Sequence, residues 1–316
     1  MSVLVFTETW NGKFKKSSYE AVSYASRLAQ LLNTSTTALV IGCDNCEDDL
    51  EKYGANKIIS TNAKYNNHAF ASIIEEITKE ENPSCIVISQ TVNGKSILPL
   101  LAIKTNASVI SNAVELPSST SPFIVKKKVF SNKAFENIQC NGDLKLISII
   151  PNSIGIKENP QSAEIQKKDV FNNSENYKTQ SLNIDKAAGK VSLADAEIVV
   201  SAGRGLKGPE NWKMIEDLAD ILGAATACSK PVSDVGWRPH SEHVGQTGIA
   251  ISSDLYIAIG ISGAIQHLAG VSSSKVMVAI NIDPEAPFFK AADYGIIGDA
   301  FDIIPKLNQA LKKFKS

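Results

Sequence analysis

This 316-residue chain has almost no excess of charge of either sign, few cysteines and few long apolar runs. Its 32 Lys and Arg nearly balance its 33 Asp and Glu, so we expect neither nucleic acid nor an anionic membrane as a partner. The longest uncharged run, Leu255 to Ser274, contains Gly, Ser, Gln and His, which favours buried strand, loop and helix over a membrane span. The segment after Met1 resembles neither a secretory signal nor an Arg-rich import leader. We therefore expect a cytoplasmic protein, or a mitochondrial matrix protein only if an import leader is missing.

Five cysteines are few and odd in number for a chain of this length, which indicates a reducing compartment. Cys43 and Cys46 form the single CxxC pattern. No second pair or neighbouring His completes a zinc site, so no metal is predicted. The same spacing occurs in redox-active dithiols, but two ordinary loop cysteines are the simpler interpretation.

The first half alternates short apolar runs with helical patterns, which predicts a parallel α/β sheet covered on both faces. At roughly 150 residues per domain, the whole chain is expected to form about two domains. The predicted strands are Val3–Thr7, Ala38–Ile41, Lys57–Ser60 and Cys85–Ser89. The predicted helices are Ser17–Leu32, Glu47–Tyr53, Phe70–Lys79 and Gly94–Thr105.

The pattern changes near Val125. Val125–Phe130, Ala134–Gln139 and Leu144–Ile150 read as short strands separated by turn signals, which predicts an antiparallel edge on the sheet. We place the domain boundary after this region, with an N-terminal domain over 1–187, a C-terminal domain over 188–316 and Asp185–Lys190 as the linker.

The second half restarts the α/β pattern, which predicts a doubly wound sheet that binds ligands at the carboxyl ends of its strands. The predicted elements are the strands Glu197–Ser201, Ala224–Cys228, Leu255–Gly260 and Lys275–Ile280, and the helices Asn211–Leu222 and Ala300–Phe314.

Gly203 to Gly208 matches GxGxxG between a strand and a helix, a turn that lets backbone N–H groups approach a pyrophosphate. The next strand ends at Cys228-Ser229-Lys230 without the acidic residue that NAD binding requires. The match therefore supports a phosphate-bearing ligand other than NAD, with a simple tight turn as the alternative.

Three further loops carry polar or glycine-rich sequences. Val244–Gly248 suits close backbone approach to a planar ligand, or is a surface turn. Ser262 is expected to cap the helix that leads to His267, which leaves the N–H groups of Gly263 and Ala264 facing an anion. His267 alone on a helix is either structural or a ligand contact. Asn281, at a strand end, carries an amide that can read an adenine edge.

These motifs occur together and in order, and over Glu197–Lys312 they closely resemble the alpha subunit of electron transfer flavoproteins. The segments GISGAIQHLAG and VAINIDPEAP are the most specific part of the resemblance. The first half is similar more loosely, through Leu4-Val5-Phe6 and the segment before Tyr53-Gly54-Ala55. The resemblance implies a parallel or mixed α/β/α first domain at the interface with a beta subunit, and a doubly wound, Rossmann-like FAD domain.

The implied function is to shuttle single electrons. The alpha subunit would form a heterodimer with the beta subunit, bind FAD, and pass electrons from acyl-CoA dehydrogenases of fatty acid β-oxidation toward a membrane quinone oxidoreductase. Its substrates would be partner redox proteins, so no catalytic acid or base is expected.

The resemblance also implies roles for single residues. Thr247 would hydrogen-bond flavin N5, Gln246 would lie beside the ring, and His267 would contact the O2 side, where negative charge gathers on reduction. The other positions of the predicted FAD set are Arg204 and Ser229 at the ribityl-pyrophosphate, Ser262, Gly263, Ala264, Ile265 and Gln266 at the pyrophosphate, Asn281, Asp299 and Ala300 at the adenosine end, and Lys230, Val244 and Gly245.

Lys230 departs from the family, which usually has Arg after this Ser. Lys keeps the charge but lacks the planar guanidinium with several donors. We expect FAD binding to survive and the one-electron potentials to change.

Three alternatives remain open at this stage. An electron-bifurcating or nitrogen-fixation-associated flavoprotein would take electrons from NADH. A stand-alone flavin oxidoreductase would act without a beta subunit. A nucleotide-binding or sensory module would use the same fold with no redox role.

Overall fold

The chain forms two compact units, one of residues 1–129 with 134–186 and one of residues 130–133 with 187–316. The predicted boundary at 187/188 and the candidate linker Asp185–Lys190 lie outside the described residues. The computed structural model describes residues 1–10, 12–43, 49–130, 132–169, 177, 179, 193 and 195–315.

Unit 1 is built on a mixed sheet whose strands follow the spatial order β10-β9-β7-β11-β6-β1-β4-β5-β12, with β8 paired to β9 and a small hairpin of β2 and β3 beside it. The strands are β1 (Ser2–Thr7), β2 (Thr9–Trp10), β3 (Lys13–Phe14), β4 (Ser35–Ile41), β5 (Lys57–Thr61), β6 (Cys85–Ser89), β7 (Ser108–Ala113), β8 (Ser119–Thr120), β9 (Phe123–Val129), β10 (Ala134–Cys140), β11 (Lys145–Ile149) and β12 (Glu164–Lys167).

Helices cover both faces of this sheet, as the continuous apolar strands predict. Alternate residues of β1 enter opposite cores: Val3 and Val5 pack with α1, and Leu4 and Phe6 pack with α2 and α3. The helices are α1 (Lys16–Leu31), α2 (Asn67–Glu81) and α3 (Val92–Thr105). Three of the four helices predicted for the first half are therefore confirmed, with ends that differ by at most three residues.

The predicted antiparallel edge is confirmed for two strands and wrong for the third. β9 and β10 pair antiparallel, whereas β11 lies inside the sheet, parallel to both β6 and β7. Leu146, Ile147 and Ile149 are fully buried. A run that is apolar on both faces belongs to an inner parallel strand, and this property outweighs the Asn-Gly turn signal before it.

The short helix expected over Glu47–Tyr53 is a 3-10 turn over Leu50–Tyr53 that ends at the left-handed Gly54. Glu47 and Cys46 lie outside the described residues. Cys43 takes part in a disulfide, while Cys85, Cys140 and Cys228 are free and buried.

Unit 2 contains a parallel sheet with the order β14-β13-β15-β16-β17. In chain order this is 2-1-3-4-5, the arrangement of one of the common doubly wound folds. The strands are β13 (Ile198–Ala202), β14 (Ala225–Cys228), β15 (Leu255–Ile259), β16 (Val276–Asn281) and β17 (Tyr294–Ile297).

The two faces of this sheet carry separate cores. One contains Ile215 and Leu218 of α4 with Ile304 of α7, and the other contains Val271 of α6 and Phe288. The predicted helices Asn211–Leu222 and Ala300–Phe314 are confirmed as α4 and α7, although Pro209–Trp212 is a 3-10 turn that precedes α4. The helices are α4 (Lys213–Leu222), α5 (Lys230–Asp234), α6 (Ile265–Val271) and α7 (Ala300–Lys315).

In the described part of the chain no helix is long and apolar enough to cross a membrane. The same residues include no group of three or more His, Cys, Asp or Glu side chains placed to hold a metal ion.

Candidate functional site

A cleft of about 460 Å³ opens at the carboxyl ends of β13 and β15 in unit 2. In the sheet, β14 lies on one side of β13 and β15 lies on the other. The winding of the sheet therefore reverses between β13 and β15. Loops leave such a point in opposite directions and a crevice forms between them. Its volume lies within the ~300–1,000 Å³ that is usual for small-molecule sites.

Most of the residues predicted for the site line this cleft. Five of the predicted positions, Gly263, Ile265, Asn281, Asp299 and Ala300, are not part of its wall. The predicted positions that do line it are Arg204, Ser229, Lys230, Val244, Gly245, Gln246, Thr247, Ser262, Ala264, Gln266 and His267.

The GxGxxG turn uses its backbone N–H groups within the protein. Gly203 donates to the Ile259 carbonyl at 2.9 Å and Gly205 to the Gly260 carbonyl at 3.2 Å. A Cβ on Gly203 would lie 2.3 Å from the Gly260 oxygen. The glycines therefore allow two loops to approach each other, and the expectation that these N–H groups face a pyrophosphate is wrong. The exposed Arg204 side chain still lines the cleft.

The start of α6 also differs from the prediction. The helix begins at Ile265 after Ala264, with no side-chain cap, so Ser262 does not cap it. Ser262 is exposed on the cleft wall. Gly263 has a φ of +85°, and a Cβ there would lie 2.5 Å from the Phe288 nitrogen. In the described part of the chain, the N–H groups of Ser262 and Gly263 donate to no backbone carbonyl.

The Val244–Gly248 loop is fixed against α6. Gln246 donates its backbone N–H to the Gln266 carbonyl at 2.7 Å, and Gly245 donates to the Ile249 carbonyl at 3.3 Å. Gln246 and Thr247 expose their side chains at the cleft. The loop is thus a rigid wall that presents one amide and one hydroxyl side chain.

His267 lies at the buried end of the cleft, with 7% of its surface exposed. Its Nε2 is 2.8 Å from the Tyr256 hydroxyl, whereas its Nδ1 is buried without a hydrogen-bond partner. Burial, and to a smaller extent His243, lower the pKa of His267 to about 4, partly opposed by the backbone of Val244. The ring is therefore neutral at pH 7 and has an unsatisfied nitrogen.

Two cationic side chains, Arg204 and Lys230, give the cleft its charge. Both are exposed on its wall. In the described part of the chain neither forms an ion pair within 4.0 Å, so both remain available to an anionic ligand. A buried neutral donor or acceptor at one end and free cations on the wall suit a ligand with a planar polar ring and phosphate groups.

The side chains of Asn281 and Asp299, predicted for an adenosine end, make local contacts in this structure. Asn281 donates its amide to the Ile261 carbonyl at 3.0 Å and accepts from the Asp283 N–H at 3.1 Å. Asp299 accepts from the Phe301 N–H at 3.0 Å and lies 3.7 Å from the Lys207 ammonium. Asn281 therefore stabilises the loop in this structure, and its contact with an adenosine stays a prediction.

The sequence interpretation missed several residues. The cleft is also lined by Pro231, His243, Gly260 and Ile261. Burial lowers the pKa of His243; Lys230 and His240 add to this effect, and Asp234 opposes it. Tyr256 also escaped notice, although a tyrosine inside a buried parallel strand signals that its hydroxyl needs a partner.

Known proteins resemble this chain along nearly its whole length. The family described as "Electron transfer flavoprotein domain" matches residues 3–172 and "Electron transfer flavoprotein FAD-binding domain" matches residues 192–272. An electron transfer flavoprotein subunit alpha from Bacillus subtilis is 33% identical over 98% of this chain and 97% of its own length. The subunit alpha from Thermoanaerobacterium thermosaccharolyticum is 34% identical over 99% and 98%. Protein FixB from Clostridium saccharobutylicum is 30% identical over 99% and 97%.

Proposed function

The chain belongs to the electron transfer flavoprotein family as an alpha subunit, and from this premise we propose that the unit 2 cleft is its FAD site. Members of the family carry electrons, bind FAD and pair with a beta subunit, and these properties hold for this chain. The residues that contact FAD and the proteins that exchange electrons with it are our proposal.

One observation carries the assignment of the site. The buried Nδ1 of His267 has no partner within the described protein, and leaving a buried polar atom unpaired costs about 1–3 kcal/mol. A ligand in the cleft would remove that cost by hydrogen-bonding to this nitrogen. Arg204 and Lys230, which also line the cleft, supply positive charge for a pyrophosphate. The residues present thus fit FAD.

FAD, when bound, supplies the isoalloxazine ring that takes up and releases electrons one at a time. His267 would bind the ring at the buried end, and Gln246 and Thr247 would orient it from the fixed loop. Arg204 and Ser229 would hold the ribityl-pyrophosphate, and Ser262 and Ala264 would contact the pyrophosphate. Lys230 would favour the negative charge that arrives with each electron.

The route of the electrons follows from family membership. We propose that the heterodimer accepts them from acyl-CoA dehydrogenases and delivers them to a membrane quinone oxidoreductase, which makes the chain a carrier and not a catalyst of substrate conversion. A cytoplasmic location is part of the same proposal, and fractionation of the native cell tests it.

The experiment is anaerobic reduction of the co-purified heterodimer, followed by its visible absorption spectrum. We expect one FAD per heterodimer and reduction in two resolved one-electron steps by an acyl-CoA dehydrogenase with its substrate. NADH without a dehydrogenase is the control and should leave the spectrum unchanged.

Other results would support the alternatives. Rapid reduction by NADH would favour the bifurcating or FixB-like role, and turnover of a small molecule by this chain without a beta subunit would favour a stand-alone oxidoreductase. A colourless heterodimer that takes up no added FAD would contradict the proposed function.

A further inference from the structure

Tyr256 and His267 form a buried pair beneath the cleft. The tyrosine hydroxyl lies 2.8 Å from His267 Nε2, and Tyr256 is completely buried in β15 while His267 is 7% exposed. No step of the proposed function uses Tyr256. A phenol buried in a parallel sheet needs a hydrogen-bond partner, and His267 is that partner.

The ring of His267 must place one proton on one of two nitrogens. A neutral imidazole has one N–H donor and one acceptor nitrogen, and the bond made by one nitrogen decides the role of the other. His267 is neutral because burial disfavours its charge. The group that bonds to Nε2 therefore determines whether Nδ1 meets the ligand as a donor or as an acceptor.

The surroundings of the phenol favour one arrangement. Val199 pairs with Tyr256 across β13 and β15, so Ser201, two residues further along β13, lies on the same face of the sheet. The Oγ of Ser201 is buried without a hydrogen-bond partner in the described protein, so it does not accept the phenol proton. His267 Nε2, 2.8 Å from the hydroxyl, is then the acceptor for that proton, because leaving a buried O–H unpaired is costly.

This arrangement also decides the role of the other ring nitrogen, which has no hydrogen-bond partner in the described protein. With Nε2 accepting from Tyr256, the ring proton lies on Nδ1.

We propose that Tyr256 is a positioning residue, whose hydroxyl holds His267 in the tautomer that has its proton on Nδ1 and so presents a hydrogen-bond donor to the cleft. The consequence for electron transfer rests on the proposed function, because it requires the reducible ring of FAD to face His267. A fixed neutral donor stabilises negative charge more than it stabilises the uncharged form.

The packing around the pair allows a clean substitution. The Tyr256 ring stacks on Phe288 with centroids 6.2 Å apart and planes at 13°, so Tyr256→Phe keeps the aromatic contact and removes only the hydroxyl. Tyr24→Phe is the matched control. Tyr24 is also fully buried, but it lies in α1 of unit 1, and its hydroxyl is 3.4 Å from the Glu115 carbonyl oxygen.

The first measurement is the ¹⁵N chemical shifts of the histidine rings in the heterodimer, with and without FAD. The chain has four histidines, so His→Gln variants assign the His267 signals. We expect wild-type His267 to show a protonated Nδ1 and an unprotonated Nε2 in both states. Tyr256→Phe should lose this pattern, and Tyr24→Phe should keep it.

The second measurement is the pair of one-electron potentials of the FAD-loaded heterodimer. We expect Tyr256→Phe to lower the equilibrium constant for uptake of the first electron about tenfold, which corresponds to ~59 mV. The dissociation constant of FAD should change less than threefold, and Tyr24→Phe should alter neither quantity.

The two readouts separate the possible failures. A wild-type His267 protonated on Nε2 would overturn the proposal, even if the Tyr256→Phe protein failed to fold. A folded Tyr256→Phe protein with the His267 tautomer and the potentials of the wild type would also overturn it. A heterodimer that binds no FAD would contradict the proposed function, and the ¹⁵N shifts of the FAD-free protein would still decide the role of Tyr256.

Discussion

At the residue scale, the cleft combines a neutral histidine with two cations. His267 is buried and its Nδ1 is unpaired, while Arg204 and Lys230 line the exposed wall. Charge added to a ligand in this cleft would interact with all three. Because the cations are partly solvated, their effect on a ligand is smaller than that of buried charges.

Lys230→Arg is expected to raise both one-electron potentials of the bound FAD, because a guanidinium offers several fixed donors where the ammonium offers a mobile point charge. The dissociation constant of FAD should stay within a few-fold of wild type. Anaerobic redox titration measures the potentials. Lys207→Arg is the control, since Lys207 is 69% exposed, pairs with Asp299 and lies outside the cleft wall. Identical potentials in wild type and Lys230→Arg would contradict the expected role.

Acid should destabilise unit 2 through His267. Its pKa falls from 6.5 to about 4 in the folded protein, so the unfolded chain binds the proton first as the pH drops. The free energy of unfolding should therefore decrease from pH 6.5 to pH 4, by up to about 3 kcal/mol.

Urea denaturation followed by tryptophan fluorescence measures this decrease. Trp212 and Trp237 lie in unit 2 and Trp10 in unit 1, so a Trp10→Phe background restricts the signal to unit 2. His267→Gln should flatten the dependence over this pH range. An equal slope in the two proteins would assign the effect to other groups.

The sequence predicted many single residues of the site, but not their bonds. Thr247, Gln246 and His267 were named from the resemblance, and all three line the cleft. The contacts of Asn281 and the missing cap at Ser262 were not predictable, because each depends on a loop that is distant in sequence or on exact backbone angles. Tyr256 was missed since its partner lies eleven residues away in the next element.

At the element scale, the site depends on close contact between α6 and the Val244–Gly248 loop. A Cβ on Gly270 would lie 2.5 Å from the Gly245 Cα, and the Gln246 N–H bonds to the Gln266 carbonyl at 2.7 Å. The φ of Gly270 is not positive, so its backbone angles do not require glycine. Glycine is required there because no side chain fits between the helix and the loop. The position of Thr247 follows from this contact.

Gly270→Ala should push the loop away from α6 and weaken FAD binding at least tenfold, since overpacking of this kind costs about 1–3 kcal/mol. Titration of the FAD-free heterodimer with FAD, followed by flavin fluorescence, gives the dissociation constant. Ser272→Ala, at the exposed C-terminal end of the same helix, serves as the control. Unchanged affinity in Gly270→Ala would show that the loop does not hold the cofactor.

The strands and helices were easier to predict than their neighbours in the sheet. Cys85–Ser89 matches β6 residue for residue, because Pro83 and a short apolar run mark it clearly. β11 was predicted as a strand but assigned to the edge, and β7, β12 and β17 were not predicted at all. Pairing depends on contacts between distant segments, which a local pattern does not contain.

At the scale of the whole molecule, the sheet of each unit has a point where its winding reverses, here called the reversal point. The side chains at the two reversal points differ in charge and in hydrogen bonding. In unit 1 the point lies between β1 and β6. There the buried Glu8 carboxylate is held by Thr91, by Asn93 at 3.0 Å and by Lys15 at 3.2 Å. The negative charge of this carboxylate, whose oxygens already accept these hydrogen bonds, disfavours a phosphate-bearing ligand.

The corresponding point in unit 2 has the opposite character. It is an open cleft with Arg204 and Lys230 on its wall and the unpaired His267 nitrogen at its end. The central claim is therefore that FAD binds at the reversal point of unit 2 and leaves that of unit 1 unchanged.

Hydrogen–deuterium exchange of the heterodimer with and without FAD tests this claim most directly. We predict that FAD slows exchange in residues 243–249 and 260–267, and that the segments around Glu8 and Thr91 exchange at the same rate in both states. Protection around Glu8 and Thr91, or none in the two unit 2 loops, would contradict the account.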